Sequence, residues 1–102
     1  MDKEYHFFLW IKKECPFCIN TINTLLDGDY NFTTYKMDNK PEVLQQVKNK
    51  FNWQTVPIIL VQSSDGETKF IGGYNDLEDF LTCLESEERG DYDLDEDEAP
   101  YD

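Results

Sequence analysis

Tyr5-His6-Phe7-Phe8-Leu9-Trp10-Ile11 leads through Lys12-Lys13-Glu14 into Cys15-Pro16-Phe17-Cys18, and the reading of that junction decides the fold. Seven residues of almost unbroken apolar and aromatic character read as a strand buried on both faces, which implies a central place in a sheet. A helix then begins at Pro16, because proline at the first helical position gives up an N–H that would have no partner there. Ile19, Ile22, Leu25 and Leu26 are expected to form its apolar face, and Gly28 its stop. The chain therefore opens strand–helix, with two thiols at the seam.

Downstream the pattern continues in the same style. Phe32 to Met37 alternates loosely and reads as a second strand. Asp38-Asn39-Lys40-Pro41 opens a second helix with Val43, Leu44, Val47 and Phe51 on its buried side. Pro57 to Val61 is a third strand, Ser64-Asp65-Gly66 a hairpin turn, and Glu67 to Ile71 a fourth strand. After Gly72-Gly73 a third helix runs from Asn75 to about Ser86, with Leu77, Phe80, Leu81 and Leu84 inward and Asn75 at capping-box spacing from Glu78. The expected order is β-α-β-α-β-β-α: an α/β fold whose four-stranded mixed sheet is flanked by three helices. No internal repeat is present.

The chain has 102 residues and a net charge of −13, unevenly spread. Residues 85–102 hold ten acids and one arginine, net −9, whereas residues 1–84 hold twelve acids and eight lysines, net −4. The division expected is a folded domain over 1–86 and a disordered acidic tail over 87–102, which has too few apolar groups to offset the entropy of ordering. Nucleic acid is excluded as a ligand class, since phosphate backbones call for a basic patch. No charged-then-apolar leader and no membrane-length apolar run are seen, so a cytoplasmic monomer that does not engage membranes is expected. Three cysteines do not make a secreted disulfide scaffold, and in a reducing compartment a C-x-x-C pair is catalytic or metal-binding.

Cys15 falls at the helix N-cap and Cys18 one turn in. Residues three apart on a helix share a face, so the sulfurs can reach disulfide distance. Cys15 projects past the helix end, where unpaired N–H groups and the positive end of the helix dipole favour a thiolate. Cys18 lies inside the first turn and is the more buried. Cys15 is thus the expected nucleophile and Cys18 the resolving thiol. The other readings are two ordinary core thiols, or half of a zinc site, for which the chain offers only Cys83 and His6 as further ligands. No metal is expected.

Three further signals surround the pair. Lys12 and Lys13 either favour the Cys15 thiolate and hold a carboxylate, or are solvated loop lysines. Thr55-Val56-Pro57 either starts a strand with an ordinary proline, or contains a cis proline that turns the free N–H and C=O of Val56 toward an extended peptide. Gly72-Gly73-Tyr74-Asn75-Asp76 either lets a ligand backbone approach an anion-binding helix N-terminus, or is a plain turn. Cys83 is expected to be a half-buried structural thiol, the remaining options being a regulatory or dimer-forming one. His6 reads as packing, and Trp10, Phe51 and Trp53 as core or rim aromatics.

Taken together, in this order and spacing, Lys12, Cys15-Pro16-Phe17-Cys18, Thr55-Val56-Pro57 and Gly72-Gly73 with Tyr74-Asn75-Asp76 resemble the dithiol glutaredoxins over residues 5–86. The resemblance implies a thioredoxin fold, a cis Pro57 and glutathione as the reducing co-substrate. It places the glycyl carboxylate at Lys12 and Gln54, and the cysteinyl part on the backbone of Val56 beside Thr55. The γ-glutamyl end falls near Gly73, Tyr74 and Asn75, with the ring of Phe17 beside the thiolate. Two positions depart from the family pattern: Phe17 stands for a tyrosine and lacks its hydroxyl, and Asn75 stands where an acid or hydroxyl residue is common. Cys15 and Cys18 would then reduce disulfide-containing or glutathionylated proteins, with ribonucleotide reductase as a family-level example. The rivals are a thioredoxin-like electron donor reduced by a flavin reductase, a non-enzymatic metal or iron–sulfur module, and an adaptor acting through the acidic tail.

Overall fold

A computed structural model describes residues 4–89, with β1 at Tyr5–Ile11, α1 at Pro16–Asp27, β2 at Asn31–Lys36 and α2 at Pro41–Phe51. β3 at Ile58–Ser63, β4 at Thr68–Gly72 and α3 at Tyr74–Arg89 complete it, so the expected β-α-β-α-β-β-α order holds. α3 runs three residues past its expected end at Ser86. The expected acidic tail lies, from residue 90 onward, outside the described residues.

The sheet order is β2-β1-β3-β4. β1 is central as expected, parallel to β2 (Phe7 beside Phe32) and antiparallel to β3 (Phe7 beside Val61). β3 and β4 form an antiparallel hairpin with an irregularity between Ile59 and Leu60. Its turn is closed by the Gly66 N–H donating to the Ser63 carbonyl at 2.9 Å, with Gly66 at φ 93, a conformation that suits a residue without Cβ.

The strand β1 is not buried equally on its two faces. Phe7, Leu9 and Ile11 are fully or nearly fully enclosed, together with Ile59 and Val61 of β3, Cys18 and Leu25 of α1, and Leu77, Leu81 and Leu84 of α3. His6, Phe8 and Trp10 point the other way and are only half-buried. The smaller cluster on that face is built around Met37, Leu44 and Ile58, and it takes in Trp10 but neither His6 nor Phe8. His6 is a packing residue as expected, its Nε2 paired with the Thr33 hydroxyl at 2.7 Å.

The first helix turns differently from its apolar pattern. Its buried residues are Cys18, Thr21 and Leu25, whereas Ile19 and Leu26 are 53% and 60% exposed. Seating Cys18 against the sheet fixes this rotation: positions 18, 21 and 25 share its face, and residues one further on fall about 100° around the helix. Thr21 is tolerated there because its hydroxyl donates to the Phe17 carbonyl at 2.7 Å, satisfying a buried polar group within the helix. Val43 is likewise exposed, leaving Leu44 as the enclosed residue of α2 with Val47 and Phe51 half-buried. The inward face of α3 is as expected, with Leu77, Leu81 and Leu84 buried and Phe80 half-buried.

Candidate active site

Three chain junctions at one end of the sheet meet around Cys15: β1 to α1, α2 to β3, and β4 to α3. Cys15 is the N-cap of α1, with extended backbone (φ −115, ψ 106) and Pro16 at the first helical position. Its sulfur accepts the Cys18 backbone N–H at 3.3 Å, the bond that a capping side chain makes to an open helix end. Its thiol donates to the Val56 carbonyl at 3.8 Å. That carbonyl, expected to be free for a peptide, is thus already engaged by the Cys15 sulfur. The Val56–Pro57 bond is cis, and Pro57 is buried.

Both cysteines are free thiols, Cys15 half-buried and Cys18 enclosed. Burial is the main reason that the Cys18 thiol is pushed from 9.0 up to about 12. Its hydrogen bond with the Cys15 side chain adds to this, as do the charges of Cys15 and Asp38, while a hydrogen bond from the Lys12 backbone opposes it. The unequal environments read from the motif are therefore built into the site.

The third junction is held by Asp76. Its carboxylate accepts the Gly73 N–H at 3.0 Å, and the Leu77 N–H donates to the Gly73 carbonyl at 3.0 Å. This is one half of a capping box, with Gly73 at the cap and Asp76 three residues in. The capping pair expected from Asn75 and Glu78 is not the one formed, because α3 starts one residue earlier, at Tyr74. Gly72 sits at φ 122, and a Cβ there would meet the Asp76 carboxylate at 2.6 Å. Glycine at 72 is thus required by the fold itself, before any ligand approaches.

Phe17, 54% exposed, lies with its ring 6.3 Å from that of Tyr74, a shared aromatic ledge on the solvent side. Lys12, Gln54, Thr55 and Asn75 are all exposed on the segments that frame the cysteines. Gly73 and Tyr74 are half-buried beside them. Cys83 is exposed rather than half-buried. On α3 it falls on the flank of the inward Leu81 and Leu84, and it lines an open hollow of about 600 Å³ with Lys69, Ile71, Asp79 and Phe80, which neither Cys15 nor Cys18 touches. Among the described residues no three His, Cys, Asp or Glu side chains gather into a metal-ligating cluster. No helix there is long and apolar enough to cross a membrane.

One residue of the site, Asp38, was not singled out from the sequence, while Trp53, read as a core or rim aromatic, packs as one against the smaller core cluster. Asp38 read only as a helix opening, yet its carboxylate takes the Lys13 N–H at 2.9 and 3.1 Å. Trp53 packs edge-on to Phe70 at 5.6 Å, and its ring lies 3.5 Å from where a Cβ on Gly73 would stand. Its buried indole N–H has no hydrogen-bond partner among the described residues. An aspartate just after a strand that adjoins the thiol-bearing loop was the available signal for Asp38. What the sequence did not offer for Trp53 was its place beside Gly73, a glycine twenty positions away.

A free thiol at a helix N-cap, a buried partner thiol one turn on, and a cis proline beside them are the features of a thioredoxin-fold thiol–disulfide oxidoreductase. The glutaredoxin family model matches residues 7–64. A probable glutaredoxin of Acanthamoeba polyphaga mimivirus is 31% identical, over 74% of this chain and 76% of the relative. The crystal structure of a mutant thioredoxin-like protein shares the fold at a TM-score of 0.56 and 14% identity, covering 76% of this chain and 97% of that one. The chain belongs to the glutaredoxin family.

Proposed function

We propose that this protein is a glutathione-dependent oxidoreductase that reduces protein disulfides and glutathione mixed disulfides through Cys15 and Cys18. The observation that carries the reading is the asymmetry of the pair: Cys15 caps α1 at the surface, and Cys18 is enclosed beneath it with its thiol raised to about 12. Cys15 attacks in its thiolate form, displaces one sulfur of the substrate disulfide, and forms a mixed disulfide. Cys18 cannot compete for that first step, because it holds its proton.

The mixed disulfide changes the balance at Cys18. Two of the influences that hold its proton come from the reduced Cys15, namely the hydrogen bond and the charge. Both disappear when Cys15 is bound to a substrate sulfur, while the Lys12 backbone bond that favours the Cys18 thiolate has no such dependence. Burial, the largest influence, remains, so Cys18 gives up its proton only as it attacks Cys15, and the departing substrate sulfur leaves as the free thiol. One glutathione opens the Cys15–Cys18 disulfide by bonding to Cys15, and a second removes the first as glutathione disulfide. A glutathionylated substrate requires Cys15 alone.

Glutathione fits the exposed frame of the site. Lys12, with Gln54 and Thr55 on the segment before β3, supplies a cation and polar groups for the glycyl carboxylate. The Val56 backbone offers the cysteinyl part an extended edge once Cys15 releases the carbonyl. Gly73, Tyr74 and Asn75 receive the γ-glutamyl end, with the Phe17 ring between. A cytoplasmic setting belongs to the same reading, because a reducing compartment keeps such a dithiol turning over. The test couples the protein to glutathione, its reductase and NADPH with a small mixed disulfide. Activity should vanish in Cys15→Ser and persist in Cys18→Ser, while protein disulfide reduction requires both. Turnover with a flavin-dependent thioredoxin reductase but not with glutathione would favour the thioredoxin-like alternative.

A further inference from the structure

Ile19, Ile22 and Leu26 are spaced three and four apart, so they stand in one row along α1. The row begins on the turn that Cys15 caps, where the Ile19 N–H donates to the Cys15 carbonyl at 3.0 Å. At the rise of a helix it ends about 16 Å beyond Cys15. Ile22 is half-buried against the core, while Ile19 and Leu26 are 53% and 60% exposed. They are left outside because seating Cys18, Thr21 and Leu25 against the sheet turns their positions outward. The third exposed apolar side chain of α1, Phe17, stands on the other flank of the helix against Tyr74. The same helix is nearly without charge: in a chain that is 30% charged, α1 holds one charged residue, Asp27 at its far end. Asn20 and Asn23, exposed beside the row, are neutral.

A thiol–disulfide oxidoreductase brings a partner's sulfur to Cys15, so the chain that carries the sulfur also covers ground beside it. Three surfaces border Cys15. The loops before α1 and α2 present Lys12, Lys13 and Asp38, and the head of α3 presents Asp76, Glu78 and Asp79, all exposed. Of the three, α1 offers aliphatic surface with no charge to strip of water. A second copy of the chain does not suit the row, because two molecules of net charge −13 repel one another. Glutathione does not need it, since the exposed frame at Lys12, Val56 and Gly73 lies at the other end of α1 from Leu26. Resting on the thiol–disulfide reading above, we infer that the Ile19–Ile22–Leu26 row is a docking ridge for protein substrates, and that it takes an apolar segment adjoining the substrate's reactive cysteine. The substrate sulfur sits at Cys15 while the aliphatic side chains next to it lie along α1.

The experiment uses the full chain, reduced with dithiothreitol and then freed of it. The probes are two uncharged synthetic peptides, each dimerised through its single cysteine. One carries leucines at three- and four-residue spacing after the cysteine, and the other has serines in their place; 2-hydroxyethyl disulfide is the small control. Cys15 attacks the peptide disulfide and one peptide leaves as a thiol. Cys18 then displaces the other, so the dithiol is oxidised to the Cys15–Cys18 disulfide, the dimer is reduced to two peptide thiols, and the two protons pass to them. Rapid quenching and chromatography give the second-order rate. The leucine dimer should react roughly tenfold faster than the serine dimer, the order expected when half-exposed aliphatic side chains gain a partner. Ile19→Gln with Leu26→Gln should abolish that preference, leaving the melting temperature and the rates on the serine dimer and the small disulfide nearly unchanged. Ile19→Leu with Leu26→Met should keep the preference, as should Val43→Gln, which removes an exposed apolar side chain from α2. A parent that reacts equally with both peptides overturns the inference, as does a Gln pair that keeps the preference or slows equally on the small disulfide. A chain that sediments as a dimer and comes apart in the Gln pair overturns it too, by making a second copy the occupant. Because no glutathione is present, a protein that passes this test but does not turn over with glutathione refutes the glutathione reading and leaves the ridge standing.

Discussion

Rapid alkylation of the reduced protein, read residue by residue, probes the asymmetry on which the proposed chemistry depends. The Cys18 thiol is pushed from 9.0 to about 12, chiefly by burial. Each unit of pKa is a factor of ten in thiolate, so at neutral pH Cys18 carries about a thousandfold less thiolate than a thiol at the ordinary value. Its enclosure, 1% exposed, slows a reagent further. Iodoacetamide added for short times, followed by denaturation, a second isotopic label and peptide mapping, gives initial rates for all three cysteines in one sample. Cys15 should label first and Cys83, exposed on α3, should report an accessible thiol, with Cys18 behind both by about three orders of magnitude. A Cys18 rate within about tenfold of the Cys15 rate would refute the assigned roles. The same shift has a stability signature. The folded chain holds the Cys18 proton more tightly than the unfolded chain does, so this contribution is whole below pH 9.0 and is lost as pH rises toward about 12.

Three other outcomes follow from contacts already described. Asp76→Ala removes the acceptor of the Gly73 N–H and should cost about 0.5–2 kcal/mol in urea unfolding, the range for a lost helix cap; an unchanged midpoint would mean that the bond contributes nothing. Gly72→Ala places a Cβ at φ 122 against the Asp76 carboxylate and should cost about 1–3 kcal/mol, read by thermal melting. Lys12→Glu reverses an exposed charge on the glutathione frame and should raise the KM for glutathione mixed disulfides severalfold with kcat nearly unchanged; an unaltered KM would move the carboxylate site, with Lys13 next in line.

The order of elements, the central strand and the two unequal thiols were legible because each rests on local chemistry. An apolar run, a proline at a helix start and a three-residue spacing carry their meaning within a few positions. Helix rotation was not legible in the same way. Ile19 and Leu26 look like core residues in the sequence, but the sheet contact of Cys18 turns α1 so that Thr21 goes in and they stay out. The same holds for Cys83, whose position beside an apolar stripe suggested partial burial, whereas the flank of α3 leaves it exposed. The contacts of Asp38 with Lys13 and of Trp53 with the Gly73 position were not legible for another reason: each joins segments distant in the chain, and only the fold brings those segments together. Gly72-Gly73 was rightly marked, though for a ligand; the demand at Gly72 comes from Asp76 within the fold.

The pairing of β1 with β3 has a consequence for how the site comes into being. Cys15 and Cys18 are neighbours on one helical turn, so the unfolded chain can already close them into a disulfide. The contact of Cys15 with Val56 spans 41 residues and cannot form until Tyr5 to Trp10 has lined up against Ile58 to Ser63. Joining the β1-α1-β2 piece to the β3–β4 hairpin requires closure of a long loop, an entropic cost that only the assembled sheet offsets. The newly made chain thus holds its oxidisable pair before it holds the edge that would select a partner. The pair is a local feature of the sequence; the edge beside it is topological and exists only where β1 and β3 are paired.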